Sequence, residues 1–188
     1  MYLNKHEIIK LLNTSFDNFI DFVNTLPDIR FTASPYGKWS AGQQLDHLIK
    51  SIRPVSSALG FPKITLRYFG TNQLPVRSYE QLAGQFSKVV AAGAVAGRAY
   101  HPGVVYPAQR PALIQGFLLQ KARLNEKLAS WSEKDLDKYR LPHPLLGKIT
   151  IREMLYSIVY HNEHHLDKLR DQELLGHTWE NQLQQLIF

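Results

Sequence analysis

Cysteine is absent from the 188-residue sequence. Its absence excludes disulfide bonds, thiolate metal ligands and cysteine nucleophiles together. Any metal ion that this chain holds must therefore be bound by histidine, aspartate, glutamate or water.

Long apolar runs are absent as well. No stretch approaches the roughly 20 apolar residues that cross a bilayer as a helix. The first ten residues, MYLNKHEIIK, lack the unbroken apolar region of a signal peptide. We therefore expect a cytoplasmic protein without membrane association.

Signals for nucleotide and nucleic-acid binding are also missing. The sequence contains neither a phosphate loop of the G-x-x-x-x-G-K type nor a G-x-G-x-x-G fingerprint, and it lacks the G-x-S-x-G motif of serine hydrolases. The net charge of +6 comes from scattered residues, and the densest charged segments, such as KARLNEK, mix both signs. This distribution is typical of solvated helix faces, so we predict no nucleic-acid partner.

Helical periodicity dominates the sequence, and a hydrophobic content of 44% is sufficient for one core. We predict an all-α protein with a single domain over residues 1–188, built as a four-helix bundle. Polar caps followed three residues later by Glu or Gln mark most of the helix starts. The four long helices are predicted to begin at Asn4, Ser40, Pro111 and Thr150, and a shorter helix is predicted from Ser78 to about Val90. Predicted stops or kinks lie at Pro27, Pro54 and Gly176, and Ser132 is expected to cap a short turn.

The segment from Gly60 to Arg110 separates the second and third long helices and is rich in glycine and proline. A connection of this length is unusual in a helical bundle. It is equally consistent with a decorated crossover and with a wall of a functional site. We predict that it borders such a site or a subunit contact.

Three histidines lie within the segment YHNEHHLDKL, residues 160–169. On a helical wheel, His165, His161 and His164 lie roughly 40, 80 and 140 degrees from the apolar centre of the fourth helix. His161 and His165 can therefore face inward together, whereas His164 is predicted on the polar side. That side also carries Glu153 and Tyr160.

Histidines four residues apart on a helix have Cβ atoms about 5–6 Å apart, and two such imidazoles can bind one metal ion. The alternative is that both rings are buried and satisfied by hydrogen bonds. The zinc-protease motifs do not fit, because Asn162 and His164 stand where they require glutamate. His47, within the second predicted helix, is a candidate third ligand.

The segments WSAGQQLDHL and LPHPLLGKITIREMLYSIVYHNEHHLDKL together resemble the DinB-like superfamily of small helical metalloproteins, and the resemblance extends over the whole chain. It implies a four-helix bundle of DinB-like type, here with a long insertion between helices 2 and 3. It also implies a divalent metal ion bound by His47, His161 and His165. Zinc or nickel suits three nitrogen ligands best, and iron, cobalt or manganese is compatible with them.

The resemblance implies a metal-dependent hydrolase or a thiol-dependent S-transferase. We expect a small-molecule substrate, with a low-molecular-weight thiol as a candidate co-substrate and a homodimer as a candidate assembly. A non-catalytic metal-binding stress-response protein is the alternative, and a nucleic-acid binder is the least favoured class.

Other polar residues lie close to the candidate ligands in the sequence. Asp46, Asn162 and Glu163 are candidates for orienting an imidazole through its second nitrogen, and the alternative is a surface or capping role. His101 and His143, each beside a proline, are candidates for lining a pocket, and the sequence assigns them no further role.

Overall fold

The computed structural model describes residues 2–34, 37–95 and 97–187, and beyond residue 174 it describes the helical backbone only. In these ranges the chain forms seven α-helices and one β-hairpin. The helices are α1 (Lys5–Thr25), α2 (Asp28–Thr32), α3 (Ala41–Ala58), α4 (Tyr79–Ala91), α5 (Arg110–Leu128), α6 (Glu133–Lys138) and α7 (Ile151–Ile187). The strands are β1 (Arg140–His143) and β2 (Gly147–Thr150).

Capping boxes begin three of the helices at the predicted residues. The side chain of Asn4 accepts a hydrogen bond from the backbone N–H of Glu7, and Ser40 does the same for Gln43. Ser78 caps α4 in this way. These bonds satisfy amide groups that the helix itself leaves without acceptors, so the predicted starts of α1, α3 and α4 are confirmed.

The longest helix, α7, begins as predicted but does not end at Gly176. Thr150 Oγ1 accepts a hydrogen bond from the N–H of Glu153, and the Glu153 carboxylate accepts one from the N–H of Thr150. The helix then runs for 37 residues to Ile187. The predicted stop is wrong because one glycine costs only about 1 kcal/mol inside a helix, and no proline follows it. None of the described helices combines the length and apolar character of a membrane span.

Four long helices enclose the core. Helix α1 packs against α5 and α7, and α3 packs against the same two helices. The ring of Phe117 on α5 lies 4.4 Å from that of Phe16 and 5.5 Å from that of Phe19 on α1. The predicted four-helix bundle is confirmed. Further fully buried side chains are Ile8, Leu12, Leu45, Leu48, Leu128 and Leu155.

A short hairpin departs from the all-α prediction. Strands β1 and β2 pair antiparallel, with Arg140 opposite Thr150 and His143 opposite Gly147. Gly147 has φ of 71°, a left-handed conformation that favours glycine. Each strand has only four residues, which is too short for a clear alternation of polar and apolar positions. The hairpin leads directly into α7.

Helix α4 packs against α7 and changes the environment of the face that was predicted to be polar. Glu153 is only 5% exposed, because Arg77 covers it and donates from Nε at 2.7 Å. Burial alone would raise the pKa of Glu153, but the hydrogen bonds from Arg77 and Thr150 outweigh it and lower that pKa. The polar-side prediction for Glu153 is therefore wrong.

A buried guanidinium joins the amino-terminal segment, α6 and α7. Arg152 is 0% exposed. It donates hydrogen bonds to the carboxylates of Glu133 and Asp137 on α6 and, at 2.6 Å, to the carbonyl oxygen of Leu3. Ser132 caps α6, as predicted. These bonds fix the start of α7 relative to its neighbours.

Candidate metal centre

Three imidazole nitrogens converge between α3 and α7. The Nε2 atom of His161 lies 3.1 Å from Nε2 of His47 and 3.0 Å from Nε2 of His165. One ligand atom from each histidine lies within 4.8 Å of the other two. The structure thus brings together the three histidines that the sequence singled out.

The hydrogen bond of His47 fixes its tautomer. Its Nδ1 lies 2.8 Å from the carbonyl oxygen of Tyr100, and a carbonyl oxygen can only accept. Nδ1 therefore carries the proton, and Nε2 of the neutral ring presents a lone pair.

Gln44 fixes the tautomer of His165 in the same way. The amide nitrogen of Gln44 donates to the carbonyl oxygen of Trp39 at 3.3 Å, which turns the amide oxygen toward His165. That oxygen lies 2.9 Å from Nδ1 of His165. It accepts the Nδ1 proton, so Nε2 of His165 also presents a lone pair.

A cation is the partner that this arrangement fits. The lone pairs of His47 and His165 both face Nε2 of His161, which as a neutral ring can donate at most one proton. Without a cation, at least one of these two lone pairs is left without a donor. Nitrogens bound to one ion at about 2.0–2.1 Å lie about 3 Å apart, so a divalent ion between the three rings would satisfy all three lone pairs.

Burial keeps these imidazoles in the form that binds metal. Desolvation lowers the pKa of His47, and it lowers the pKa values of His161 and His165 strongly. The positive charge that each protonated ring would place near the others acts in the same direction for His161 and His165. The rings are therefore neutral near pH 7, as metal ligands must be.

Aromatic side chains enclose the group on two sides. The ring of Trp39 lies 5.0 Å from that of His47 and is parallel to that of His165 at 6.3 Å. Phe86 of α4 lies 5.8 Å from His161. Sequence reasoning missed both residues. The position of Trp39, just before the cap of the His47 helix, was the available signal, whereas no local pattern marked Phe86.

A cavity of about 520 Å³ opens beside the three histidines. His101 and His143 line it, as the sequence suggested, and His164 does so too. Phe86 and Tyr100 contribute to its wall, so the segment from Gly60 to Arg110 borders the site as predicted. The cavity also has two lysines, Lys38 and Lys168, and a single carboxylate among its described lining residues, Asp171.

The orienting role considered for three neighbouring residues is wrong. Asp46 accepts hydrogen bonds from Lys50 and from the backbone of Gly103, and Glu163 accepts one from Tyr79. Asn162 is fully buried and donates to Ser15. The second nitrogens of His47 and His165 are held instead by a backbone carbonyl and by an amide.

His164 stands apart from the group of three, as the helical wheel predicted. Its ring stacks on Tyr160 at 5.9 Å and meets the edge of His165 at 5.5 Å. Tyr160 and His164 are half-buried rather than fully exposed. The reason is that α4 covers this side of α7, with Phe86 5.0 Å from Tyr160.

We expect the stability of the protein to fall in mild acid partly because of His143. Burial, assisted by the charge of Arg77, lowers the pKa of His143 from 6.5 to about 4. Between these values the unfolded chain binds more protons, so this contribution is present above pH 6.5 and is lost as the pH falls toward 4. From about pH 7 to about pH 5, the wild type should lose on the order of 2 kcal/mol more than a His143→Asn variant. Urea unfolding at both pH values measures the difference, and equal losses would contradict the assignment.

Comparison with known proteins identifies the family. The model of the DinB superfamily matches residues 11–168. Among solved structures, YfiT from Bacillus subtilis, described as a probable metal-dependent hydrolase with an unusual four-helix bundle topology, is 17% identical, with a TM-score of 0.56 over 91% of this chain and 90% of that chain. The four-helix bundle protein TT2238 is 16% identical, with a TM-score of 0.53 over 88% of this chain and 98% of that chain. Comparison with the curated proteins found no match. The family match spans most of the sequence, and the chain belongs to the DinB superfamily.

Proposed function

We propose that the protein is a metal-dependent enzyme, a hydrolase or a thiol-dependent S-transferase, with His47, His161 and His165 as the ligands of one divalent ion. The observation that carries the proposal is the convergence of three Nε2 atoms, two of them fixed as lone-pair donors, beside a cavity. Zinc or nickel suits the three nitrogens, and iron, cobalt and manganese are the alternatives.

A divalent ion held here would supply an acidified water or thiol as a nucleophile near neutral pH. Three histidine ligands leave at least one coordination position for it. The chain supplies little carboxylate base, since Asp171 is the one carboxylate among the described residues that line the cavity. Trp39 and Phe86 exclude water from two sides of the ligand group.

The charge of the cavity favours an anionic small molecule. Lys38 and Lys168 both line it, and within the described part of the chain neither forms an ion pair with Asp171 or another carboxylate. Burial and the nearby charge of Lys38 lower the pKa of Lys168, so a bound anion would relieve an unfavourable pair of like charges. We infer a substrate, or a low-molecular-weight thiol, that carries an acidic group. The volume of about 520 Å³ is within the range of small-molecule sites.

The description of YfiT as a probable metal-dependent hydrolase supports the hydrolase arm of the proposal. The thiol-dependent arm shares the step in which the ion would activate a nucleophile, but a thiol would take the place of water at the open coordination position. A cytoplasmic location, a homodimer and the absence of a nucleic-acid partner complete the proposal. Light scattering tests the homodimer, and salt-sensitive submicromolar binding to a DNA duplex would overturn the last point.

An activity screen of the metal-loaded protein tests the proposal. Electrophilic anionic substrates, esters among them, are offered with and without small thiols, and His161→Ala serves as the inactive control. Turnover that needs a thiol identifies a transferase, and turnover without one identifies a hydrolase. Absence of turnover in both arms, with a fully occupied ion closed by a fourth protein ligand, would favour the non-catalytic metal-binding alternative.

Gln44→Ala should weaken metal binding by about 10- to 100-fold without abolishing it. The substitution removes the acceptor that holds the Nδ1 proton of His165, and loss of such a partner typically has an effect of this size. Gln44→Glu, which keeps an acceptor oxygen, should retain more of the affinity. Competition with a chromogenic chelator measures both, and equal affinity of Gln44→Ala and the wild type would count against the tautomer assignment.

A further inference from the structure

The hairpin before α7 holds the His143 ring in one tautomer. The backbone N–H groups of Leu145 and Leu146 both donate to Nδ1 of His143, at 3.1 and 3.2 Å. A nitrogen that accepts hydrogen bonds must present a lone pair, so Nδ1 is unprotonated. The neutral ring therefore carries its proton on Nε2.

The Nε2–H group of His143 lies on the other side of the ring from that turn. It has no hydrogen-bond acceptor in the ranges that the structure describes. In the same ranges, the fully buried side-chain nitrogen and oxygen atoms that lack a hydrogen-bond partner are Arg140 Nε and Asn162 Oδ1. Nε2 of His143 is not among them, so it is not fully buried. Because His143 lines the cavity, this N–H group is available to a molecule bound there.

His143 and the metal centre share a wall of the cavity. The ring of Phe86 meets His143 edge-on at 5.4 Å and lies 5.8 Å from His161. Burial lowers the pKa of His143 to about 4, so the ring stays neutral near pH 7. A neutral, rigidly held N–H at this place can donate to a ligand without adding charge.

We propose that the Nε2–H group of His143 binds an acceptor oxygen, from a carbonyl or a carboxylate, of the small molecule that occupies the cavity. The donor is pre-oriented, because two backbone amides and the Phe86 ring fix the imidazole before any ligand arrives. It would orient a substrate relative to the three histidines. The assignment does not depend on the presence of the ion.

The tautomer is tested first, by two-bond proton–nitrogen NMR correlation of the ¹⁵N-labelled full chain. The expected result at neutral pH is a His143 ring that is protonated on Nε2 and not on Nδ1. Addition of sodium acetate, the simplest acceptor-oxygen probe, should shift the His143 signals in a saturable way. A ring protonated on Nδ1, or signals unaffected by acetate, would overturn the proposal.

Two matched variants separate binding from structure. Asparagine in His143→Asn can place its side-chain oxygen near the former Nδ1 and keep the bonds to Leu145 and Leu146, but it has no donor that reaches the cavity. Glutamine in His143→Gln can place an N–H near the former Nε2, but it loses the geometry that holds the turn. We expect acetate affinity to fall about tenfold in His143→Asn and to stay within about threefold of the wild type in His143→Gln. A purely structural histidine predicts the reverse order, with the larger loss of thermal stability and of binding in His143→Gln.

Repeating the acetate titration in the His161→Ala background separates this inference from the proposed function. A His143-dependent affinity that persists there supports the donor even if the protein carries no catalytic ion. An affinity that never depends on residue 143, in either background, refutes the donor and leaves the metal proposal untouched.

Discussion

Replacing His161 with alanine is expected to remove the bound metal ion completely from the purified protein. Nε2 of His161 lies 3.1 and 3.0 Å from the other two Nε2 atoms, and its loss leaves two ligands on different helices. Elemental analysis should give about one divalent ion per chain for the wild type and none for His161→Ala. His47→Ala and His165→Ala should show the same loss.

Two other histidines provide controls for this result. His164 is adjacent in sequence but its ring stacks on Tyr160, and His6 is exposed on α1. We expect His164→Ala and His6→Ala to keep full occupancy. Full occupancy of His165→Ala, or loss of the ion in His164→Ala alone, would contradict the ligand assignment.

Replacing Arg152 with methionine should lower the free energy of unfolding by about 3 kcal/mol, the lower end of the range for breaking a buried ion pair. The guanidinium is completely buried, and its removal leaves the carbonyl oxygen of Leu3 without this donor. Glu133 and Asp137 would lose this partner as well, although their side chains are 51% and 31% exposed and can be partly hydrated. Guanidinium or urea unfolding at neutral pH measures the change.

Arg170→Met is the matched control for that substitution. Arg170 pairs with Asp167 at 3.4 Å on the exposed face of α7, where both side chains are more than half exposed. Such pairs contribute less than about 1 kcal/mol. Equal destabilisation by the two methionine substitutions would show that Arg152 is not the structural link between the amino-terminal segment, α6 and α7.

Features that depend on local sequence were predictable. The capping signals at Asn4, Ser40 and Ser78 act between residues three positions apart, so they mark helix starts without knowledge of the fold. The separation of His161 and His165 from His164 follows from helical periodicity alone. His47 was a candidate because it lies among apolar residues of another predicted helix, and the family resemblance then assigned it as the third ligand, because its distance along the chain gives no geometric constraint.

Features that depend on tertiary packing were not predictable in this way. Glu153 was expected on a polar surface, but α4 covers that face of α7, and Arg77, just before the cap of α4, is the partner of Glu153. The group that holds His47 is the backbone carbonyl of Tyr100, and every residue carries such a group. Gly176 was given too much weight as a helix stop, because a single glycine is a weak signal inside an otherwise helical sequence.

X-ray absorption spectroscopy at the metal edge of the loaded protein tests the open three-histidine site, because it counts the ligands of the ion. We expect three imidazole nitrogens and at least one further light donor that exogenous small molecules can replace. A spectrum with fewer than three imidazoles, or a coordination sphere closed by a fourth protein ligand and unchanged by added ligands, would contradict an open three-histidine site.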